Sequence, residues 1–400
     1  MLHSYLVEKS IRQSFDGAKY LRSMNIRIHK KWLVVSLPRR QPASKRLSPN
    51  KSSAGQRSRY QSRRSPLLEG ANLREGTTMA RIDHAHTANS LGVPQSGEVL
   101  PRRAAQSDAG GPAAPPLPWA PSIPVHYVSV DGTRIRYLVA GSGPALVLLH
   151  TLRTQFDMFQ KVIPELATRF RVYALDYPGH GHSDAPGADY AAEFFVAIVA
   201  GFLDRLNIQD AMLAGESIGG TIALLLAARH NPRVRGVVAV NPYDYDRGRG
   251  LRRSSALANL FIGMSGVPLI GGVMGHMQPY PAVKRILEGG VYRKDAFPSA
   301  LLRELHAAGT APGHPRAFVQ LVRHWPSWEQ ARAEYGNIGL PVLLLYGDHD
   351  WSRDAEREAD HRAIPGSRMR IVKDAGHFLA LDAPDAFVQA VVELDAHLSA

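Results

Sequence analysis

Six continuous apolar runs, separated by stretches with helical periodicity, most constrain how residues 124–400 of this chain can fold. Apart from RMRIVKDAG, these runs do not alternate polar with apolar residues, and such runs are typical of strands buried on both faces of a parallel sheet. The alternation of strand and helix therefore predicts an α/β fold with a mostly parallel central sheet and helices on both faces. The runs are ALVLLH (145–150), RVYALDY (171–177), AMLAGE (211–216), VRGVVAVN (234–241), PVLLLYG (341–347) and RMRIVKDAG (368–376).

Flanking patterns complete this prediction. Two strand-like runs around Asp131-Gly132 predict a β-hairpin. Helical patterns follow the first three apolar runs and end the chain; they read FDMFQKVIPELATRF, AAEFFVAIVAGFLDRLN, TIALLLAARHN and DAFVQAVVELDAHLS. The rhythm breaks between the fourth and fifth runs, which predicts a helical cap insertion at about 243–338. Such an insertion would cover the carboxyl ends of the strands, where active sites of open α/β sheets lie.

The net charge of +13 is concentrated at the N-terminus. Residues 1–78 contain 17 Lys+Arg and 4 Asp+Glu, whereas residues 79–400 contain 31 of each. We predict that 1–123 is a basic, disordered extension ending in a Pro/Ala-rich linker, and that the folded domain is 124–400. Two interpretations of the basic part remain open. It is an arm that contacts nucleic acid or directs targeting, or translation starts at Met79.

Several function classes are not supported. No apolar signal region follows Met1, and EFFVAIVAGFL (193–203) is too short to span a bilayer, so we predict a cytoplasmic location without a membrane span. The chain has no Cys, which excludes disulfides and cysteine-ligated zinc. The segment HGHSD (180–184) resembles part of a metal motif but lacks its last ligand. We therefore predict no metal and no cofactor.

A candidate nucleophile lies in Gly215-Glu216-Ser217-Ile218-Gly219, which fits G-x-S-x-G between a predicted strand and a predicted helix. A sharp strand-to-helix turn strains the central residue, and side chains at the flanking glycines would collide. Backbone N–H groups at the helix start can stabilise an oxyanion. The alternative interpretation is an ordinary serine in a glycine-rich turn.

A nucleophilic serine needs a base, and the base needs an acid that orients it. His377 follows the last apolar run and is our candidate base. GDHDW (347–351) follows the fifth run and offers two acids. We choose Asp350, because it lies far enough into the loop to face the base, and assign Asp348 to backbone hydrogen bonds. Asp244 or Asp246, after the fourth run, remains an alternative acid.

With these motifs in order, residues 124–400 resemble the capped α/β-hydrolases, a family of serine esterases, haloperoxidase-like enzymes, carbon–carbon bond hydrolases and epoxide hydrolases. The resemblance also covers DYPGHGHSD (176–184) and AGHFLALDAPDAF (375–387). It implies an oxyanion hole formed by the N–H groups of Leu152 and Ile218. It departs from the family at Thr151, where a Gly usually follows the histidine.

Within the family that the sequence resembles, epoxide hydrolases and haloalkane dehalogenases use an Asp nucleophile. Because the matching position here is Ser217, the resemblance implies that this chain is neither of these two kinds of enzyme. We therefore expect a small-molecule ester or acyl substrate, hydrolysed through an acyl-enzyme. Alternatives are a carbon–carbon bond hydrolase, an acyltransferase or a slow-turnover binding protein. Arg153 is expected to bind an anionic substrate group or to be an ordinary exposed or ion-paired arginine. Large cap side chains are expected to line an acyl pocket or to pack in the core, namely Met264, Met274, Met277, Trp325 and Trp328.

Overall fold

The computed structural model describes residues 116–265 and 276–400, together with two short strands near the N-terminus. Those two strands, Ile26–His29 and Trp32–Val35, pair in an antiparallel hairpin in a unit separate from the rest of the chain. Apart from these strands and residues 116–123, the predicted extension lies outside the described residues, so the two interpretations of its basic part stay predictions.

An eight-stranded sheet forms the centre of the second unit, in the order β8-β7-β6-β5-β3-β4-β2-β1. β1 and β2 are antiparallel to their neighbours in the sheet, whereas β3 through β8 all pair in parallel with one another. All six apolar runs are confirmed as strands of this sheet. The strands are β1 (Val125–Val130), β2 (Thr133–Ala140), β3 (Ala145–Leu149), β4 (Arg171–Leu175), β5 (Ala211–Glu216), β6 (Val234–Val240), β7 (Val342–Gly347) and β8 (Arg368–Val372).

Helices cover the sheet, and their packing explains why so much of the sequence is apolar. The helix after β5 is buried at every position, because it lies against the sheet on one side and other helices on the other. The α-helices are α1 (Ile163–Leu166), α2 (Ala192–Arg205), α3 (Ile218–Ala228), α4 (Ala256–Ser265), α5 (Tyr280–Leu287), α6 (Ser299–Gly309), α7 (His314–Arg323), α8 (Pro326–Gln330), α9 (Asp354–Ala363), α10 (Leu379–Asp382) and α11 (Pro384–Leu398).

The predicted hairpin joins β1 to β2, with Val130 paired to Thr133. Asp131 and Gly132 both adopt left-handed backbone angles, with φ of 48° and 77°. A two-residue turn with two positive φ values matches the right-handed twist of the strands, and Asp-Gly adopts it readily.

One predicted helix is interrupted. The pattern FDMFQKVIPELATRF forms a 3₁₀ turn at Phe156–Phe159 and then the short helix α1. Pro164 has no N–H, and within a continuous helix its ring would clash with the carbonyl of Gln160. The helix therefore restarts with the proline in its first turn.

The packed domain begins before Pro124, the predicted boundary. Leu117 is fully buried in the core on one face of the sheet. The indole N–H of Trp119 donates a 2.7 Å hydrogen bond to Asp157 Oδ1. The surrounding prolines and alanines resemble a linker in composition, but two large apolar side chains among them anchor the segment to the domain.

The segment between β6 and β7 carries α4 through α8 and several 3₁₀ turns, as expected for an insertion at about 243–338. Residues 266–275, including Met274, lie outside the described part of this segment. Among the helices described, none is long and apolar enough to cross a membrane. The predicted cytoplasmic location remains a prediction.

Candidate active site

The candidate nucleophile occupies a strained turn between β5 and α3. Ser217 has φ 60° and ψ −120°, a conformation that only surrounding structure can impose on a residue with a side chain. A Cβ on Gly215 would lie 2.2 Å from the carbonyl oxygen of Gly219, and one on Gly219 would lie 2.1 Å from that of Leu149. Both glycines are therefore required for this turn to pack against β3.

The proposed oxyanion donors lie on two loops at the carboxyl edge of the sheet. Ile218 is the first residue of α3, so its N–H has no acceptor within the helix. Leu152 lies just after β3 and is buried. The backbone hydrogen bonds of the described loops include none donated by either residue.

His150 fixes the loop that carries Leu152. Its Nε2 accepts a 3.1 Å hydrogen bond from the Tyr177 N–H, so its Nδ1 carries the proton and donates to the Thr151 carbonyl at 2.7 Å. Burial lowers the pKa of His150 to about 3, which keeps the ring neutral. Thr151 itself does not adopt a positive φ, and the left-handed residue of this loop is Arg153. The departure from the family's Gly at Thr151 therefore costs no backbone strain.

The candidate base and acid meet in the interior. His377 Nδ1 hydrogen-bonds Asp350 Oδ1, and both side chains are fully buried. The other carboxylate oxygen accepts the Ser352 N–H at 2.8 Å and also the Ser352 hydroxyl. Burial alone would raise the pKa of Asp350, but the charge and hydrogen bond of His377 and the bonds from Ser352 hold it below its ordinary value. Asp350 is therefore placed to orient an imidazole as an ionised carboxylate.

Two buried atoms of this cluster have no hydrogen-bond partner among the described residues, namely Ser217 Oγ and His377 Nε2. These are the atoms between which a proton would pass in nucleophilic catalysis. Catalytic hydrogen bonds are often long before substrate binds and tighten in the complex. The ring of Trp351 stacks on His377, with 3.8 Å between centroids and 15° between planes, and so fixes the imidazole plane.

The other candidate acids have different partners. Asp348 is exposed, and its carboxylate accepts a 3.2 Å hydrogen bond from a backbone N–H in the loop that carries His377. Asp244 is buried and ion-paired with Arg332 at 3.1 Å. Asp246 is partly exposed and lies 3.3 Å from Arg253. Of the acids considered, Asp350 is the one that the fold brings to His377.

The fold is matched by comparison with known proteins. A family model described as the alpha/beta hydrolase fold matches residues 144–263. This chain has the α/β-hydrolase fold, and its sequence is similar to members of that family.

Similar proteins include several hydrolases. The 2-hydroxy-6-oxo-2,4-heptadienoate hydrolase of Pseudomonas putida is 27% identical over 264 residues, covering 64% of this chain and 86% of that protein. The crystal structure of the enol-lactonase from Burkholderia xenovorans is 26% identical, with a TM-score of 0.51, over 68% of this chain and 99% of that one. An epoxide hydrolase structure matches with a TM-score of 0.61 at 21% identity, over 69% of this chain and 100% of that one, which shows the shared fold.

Sequence reasoning missed Asn241, which joins the acid and base loops of this protein. Its Oδ1 accepts the Gly347 N–H at 3.0 Å, where β7 ends. Its Nδ2 donates to the carbonyls of Gly376 and His377, at 3.1 and 2.9 Å. The signal was present, because Asn241 directly follows an apolar run, as do the candidate acid and base.

Glu216, beside the nucleophile, was also missed. Its Oε1 accepts a 2.7 Å hydrogen bond from the Ala380 N–H, while Oε2 is buried without a partner. Burial raises the pKa of Glu216 to about 8, even though hydrogen bonds from the backbone N–H groups of Ala380 and Leu379 lower it; the nearby carboxylates of Asp382 and Asp350 act in the same direction as burial. The side chain is therefore protonated at neutral pH and supports the segment that follows His377.

Glu216→Gln is expected to change the pH dependence of stability. Between the ordinary pKa of Glu and about 8, the folded protein keeps a proton that the unfolded chain has released. Raising the pH through this window therefore favours unfolding of the wild type, by on the order of 1 kcal/mol per pH unit. Glutamine does not titrate, so the variant should lose this slope. Urea unfolding from about pH 5 to about pH 8 measures the difference.

The control is Glu165→Gln, which alters an exposed glutamate on α1. We expect this variant to keep the pH slope of the wild type. Equal slopes for wild type and Glu216→Gln would show that Glu216 is ionised throughout the window.

A mostly apolar cavity adjoins the site. Leu152 and Trp351 lie in its wall and connect it to the proposed oxyanion hole and to His377. Among the lining residues described, three are polar, namely Thr151, Arg153 and Gln278. The apolar ones are Leu152, Leu251, Phe261, Ile262, Val283, Ile286, Leu287, Phe318, Trp351 and Phe378.

Trp325, expected either to line the acyl pocket or to pack in the core, does not belong to the described cavity wall. Trp325 and Trp328 are buried in the hydrophobic core, and neither belongs to the described cavity wall. Trp328 packs against Phe195, with 5.6 Å between ring centroids. Met264 is also absent from that wall, and Met277 is mostly exposed. Composition pointed to large cap side chains as lining, but Trp328 of α8 packs against Phe195 of α2 instead.

The HGHSD segment does not gather its side chains at one point. His182 pairs with Glu304 at 2.7 Å. The His180 ring instead hydrogen-bonds the Pro178 carbonyl, and the Asp184 carboxylate accepts the Arg134 N–H. Within the described residues, the group with metal-ligand spacing is Asp348, His349 and Asp374, which are exposed.

Proposed function

We propose that this protein is a serine hydrolase that cleaves a carboxylic ester through an acyl-enzyme, with Ser217 as nucleophile, His377 as base and Asp350 as the orienting acid. One observation carries the proposal. His377 is held at Nδ1 by a buried carboxylate, while its Nε2 and the Oγ of the strained Ser217 are both buried and have no hydrogen-bond partner within 116–265 and 276–400. Such an arrangement at the carboxyl ends of β5, β7 and β8 is suited to proton transfer from serine to histidine.

The first half of the reaction forms the acyl-enzyme. His377 Nε2 takes the Ser217 hydroxyl proton as Oγ bonds to the substrate carbonyl carbon, and the carbonyl oxygen becomes an oxyanion. The N–H groups of Leu152 and Ile218 stabilise that charge, and one such donor contributes about 3 kcal/mol to the transition state. The intermediate collapses, the bond to the alcohol oxygen breaks, and the leaving alkoxide takes the proton from His377.

The second half releases the acid. His377 removes a proton from water as the water oxygen attacks the acyl carbon, and the same N–H groups stabilise the second oxyanion. Collapse breaks the bond to Ser217 Oγ, which regains a proton from His377, and the carboxylic acid leaves. Asp350 stays ionised throughout and stabilises the imidazolium that forms twice per turnover.

The similarity to an enol-lactonase favours ester chemistry, because a lactone is a cyclic ester. A second candidate is carbon–carbon bond hydrolysis, favoured by the similarity to a 2-hydroxy-6-oxo-2,4-heptadienoate hydrolase. Acyl transfer would use the same acyl-enzyme with an alcohol or thiol in place of water.

Covalent labelling tests the proposal. A fluorophosphonate probe should react once, at Ser217, and mass spectrometry of the labelled peptide should locate it there. Heat-denatured protein is the control and should not react, because the activation depends on the folded arrangement. Labelling at another residue, or none, would contradict the proposal.

A substrate panel separates the candidate reactions. We expect turnover of 4-nitrophenyl esters, with a rate that depends on acyl length because the cavity beside the candidate site is lined mostly by apolar side chains. Faster turnover of a 2-hydroxy-6-oxo dienoate than of every ester would favour carbon–carbon cleavage. Labelling at Ser217 without turnover of any substrate would favour the slow-turnover binding protein.

A further inference from the structure

The wall of the cavity beside the candidate site is mostly apolar and contains a cation. Arg153 is the one charged residue among the described residues that line it. Residues 266–275, which lie outside the described part of the cap, contain no charged side chain. The Arg153 guanidinium therefore faces a space in which any charge is poorly solvated.

Neutral groups hold this guanidinium in place. Nη1 donates to the Gly309 carbonyl at 3.1 Å, and Nη2 donates to Gln278 Oε1. The guanidinium carbon lies 5.0 Å from the centre of the Phe318 ring. Among the described residues, no carboxylate forms an ion pair with it, and burial lowers the pKa of Arg153 to about 10. Arg153 is nevertheless a cation at neutral pH.

Another buried arginine shows how this chain compensates such a charge elsewhere. Arg136 lies 3.1 Å from both Asp157 and Asp176, and all three side chains are almost fully buried. Buried cations are normally paired in this way, because an unpaired charge loses its hydration without replacement. Arg153 lacks such a partner at the wall of the cavity.

The backbone at Arg153 is itself strained. Its φ of 61° lies in the left-handed region, which glycine adopts without the penalty of roughly 1–2 kcal/mol that other residues incur. Strain retained at a cavity wall is a reason to look for function. The conformation also places Arg153 next to Leu152, whose N–H is a proposed oxyanion donor.

We propose that Arg153 binds a carboxylate of the substrate, so that this enzyme selects esters carrying a negative charge close to the scissile carbonyl. The inference rests on the proposed serine hydrolase function. Gln278 and Gly309 occupy part of the guanidinium's donor set, and the remaining N–H groups match the two oxygens of a carboxylate. The substrate anion then supplies the charge partner that the protein does not provide.

Paired substrates test this selectivity. In the first pair, 4-nitrophenyl hydrogen glutarate carries a carboxylate on the acyl side and its methyl ester lacks the charge. In the second, 3-acetoxybenzoate carries it on the alcohol side and is compared with its methyl ester. The wild type should show a kcat/KM about 30-fold or more higher for the charged member of at least one pair. The pair that shows it identifies the side that carries the anion.

Variants assign the selectivity to Arg153. In Arg153→Met the charged-to-neutral ratio should fall to about one, whereas Arg153→Lys should keep an intermediate ratio, because lysine retains the charge but not the fork. The matched control is Arg303→Met, which removes an exposed arginine from α6 and should leave the ratio at the wild-type value. Thermal unfolding and fluorophosphonate labelling verify that each variant is folded with a reactive site.

Two failures are distinguishable. Ser217-dependent hydrolysis with equal rates for charged and neutral members of both pairs overturns the assignment of Arg153 and leaves the serine hydrolase intact. A fall in both rates by the same factor in Arg153→Met also overturns it, because it indicates a role limited to holding Gln278 and Gly309. If the wild type hydrolyses no ester and no probe reacts with Ser217, the proposed function itself fails.

Discussion

Replacing Ser217 with alanine will reduce ester hydrolysis by about three to six orders of magnitude. The substitution removes the oxygen that forms the acyl bond, and His377 has no other hydroxyl to activate at this position. Alanine keeps the Cβ, so the strain at φ 60° persists and the change in stability should be small. Initial rates with a 4-nitrophenyl ester, compared with the uncatalysed rate, measure the effect.

Ser254→Ala is the matched control. The Ser254 hydroxyl is also buried without a hydrogen-bond partner among the described residues, but it lies in the cap segment. Its removal eliminates a similar buried hydroxyl and should leave hydrolysis close to the wild-type rate. Ester turnover by Ser217→Ala at a rate near the wild type would exclude Ser217 as the nucleophile.

Asp350→Asn will lower kcat by about 10⁴-fold while leaving the fold intact. The carboxylate accepts the proton on His377 Nδ1, whereas the amide that replaces it presents a donor or turns, and the histidine then adopts the wrong tautomer. Because the pKa of Asp350 is below its ordinary value, its protonation should not limit activity in mildly acidic solution. The measurement is kcat as a function of pH for wild type and variant.

Asp348→Asn distinguishes the two acids of the GDHDW loop. Asp348 is exposed and contacts a backbone N–H rather than the imidazole, so we expect a loss of less than about tenfold. A loss of about 10⁴-fold in Asp348→Asn, with an active Asp350→Asn, would reverse the assignment.

The setting of the cluster explains why these effects should be large. Asp350 and His377 are fully excluded from water, and the aromatic ring of Trp351 covers one face of the imidazole. In such surroundings, charge is stabilised by fixed groups rather than by solvent. Removing one fixed group therefore cannot be compensated by rearrangement of water.

Much of the fold followed from local pattern. Continuous apolar runs identified β3 through β7, because strands buried on both faces of a sheet have no exposed face that needs polar side chains. The edge strand β8 is not buried and was identified from a more polar run. The Asp131-Gly132 hairpin followed from the turn's need for two left-handed residues. The prediction failed where one residue overrode the pattern, as Pro164 did in the first helix, and where anchoring side chains were few, as in the segment around Leu117.

The sequence by itself determined which residues stand at the ends of β5, β7 and β8, and so proposed Ser217, Asp350 and His377, because parallel strands end at one edge of a sheet. Only the tertiary structure decided the contacts that depend on distant segments. It placed Asn241 between the acid and base loops, left Glu216 buried beside the nucleophile, and removed Trp325 from the cavity. It also showed that Arg153 is not ion-paired with any described carboxylate, since the packing of the cap, not the local sequence, decides which charges meet.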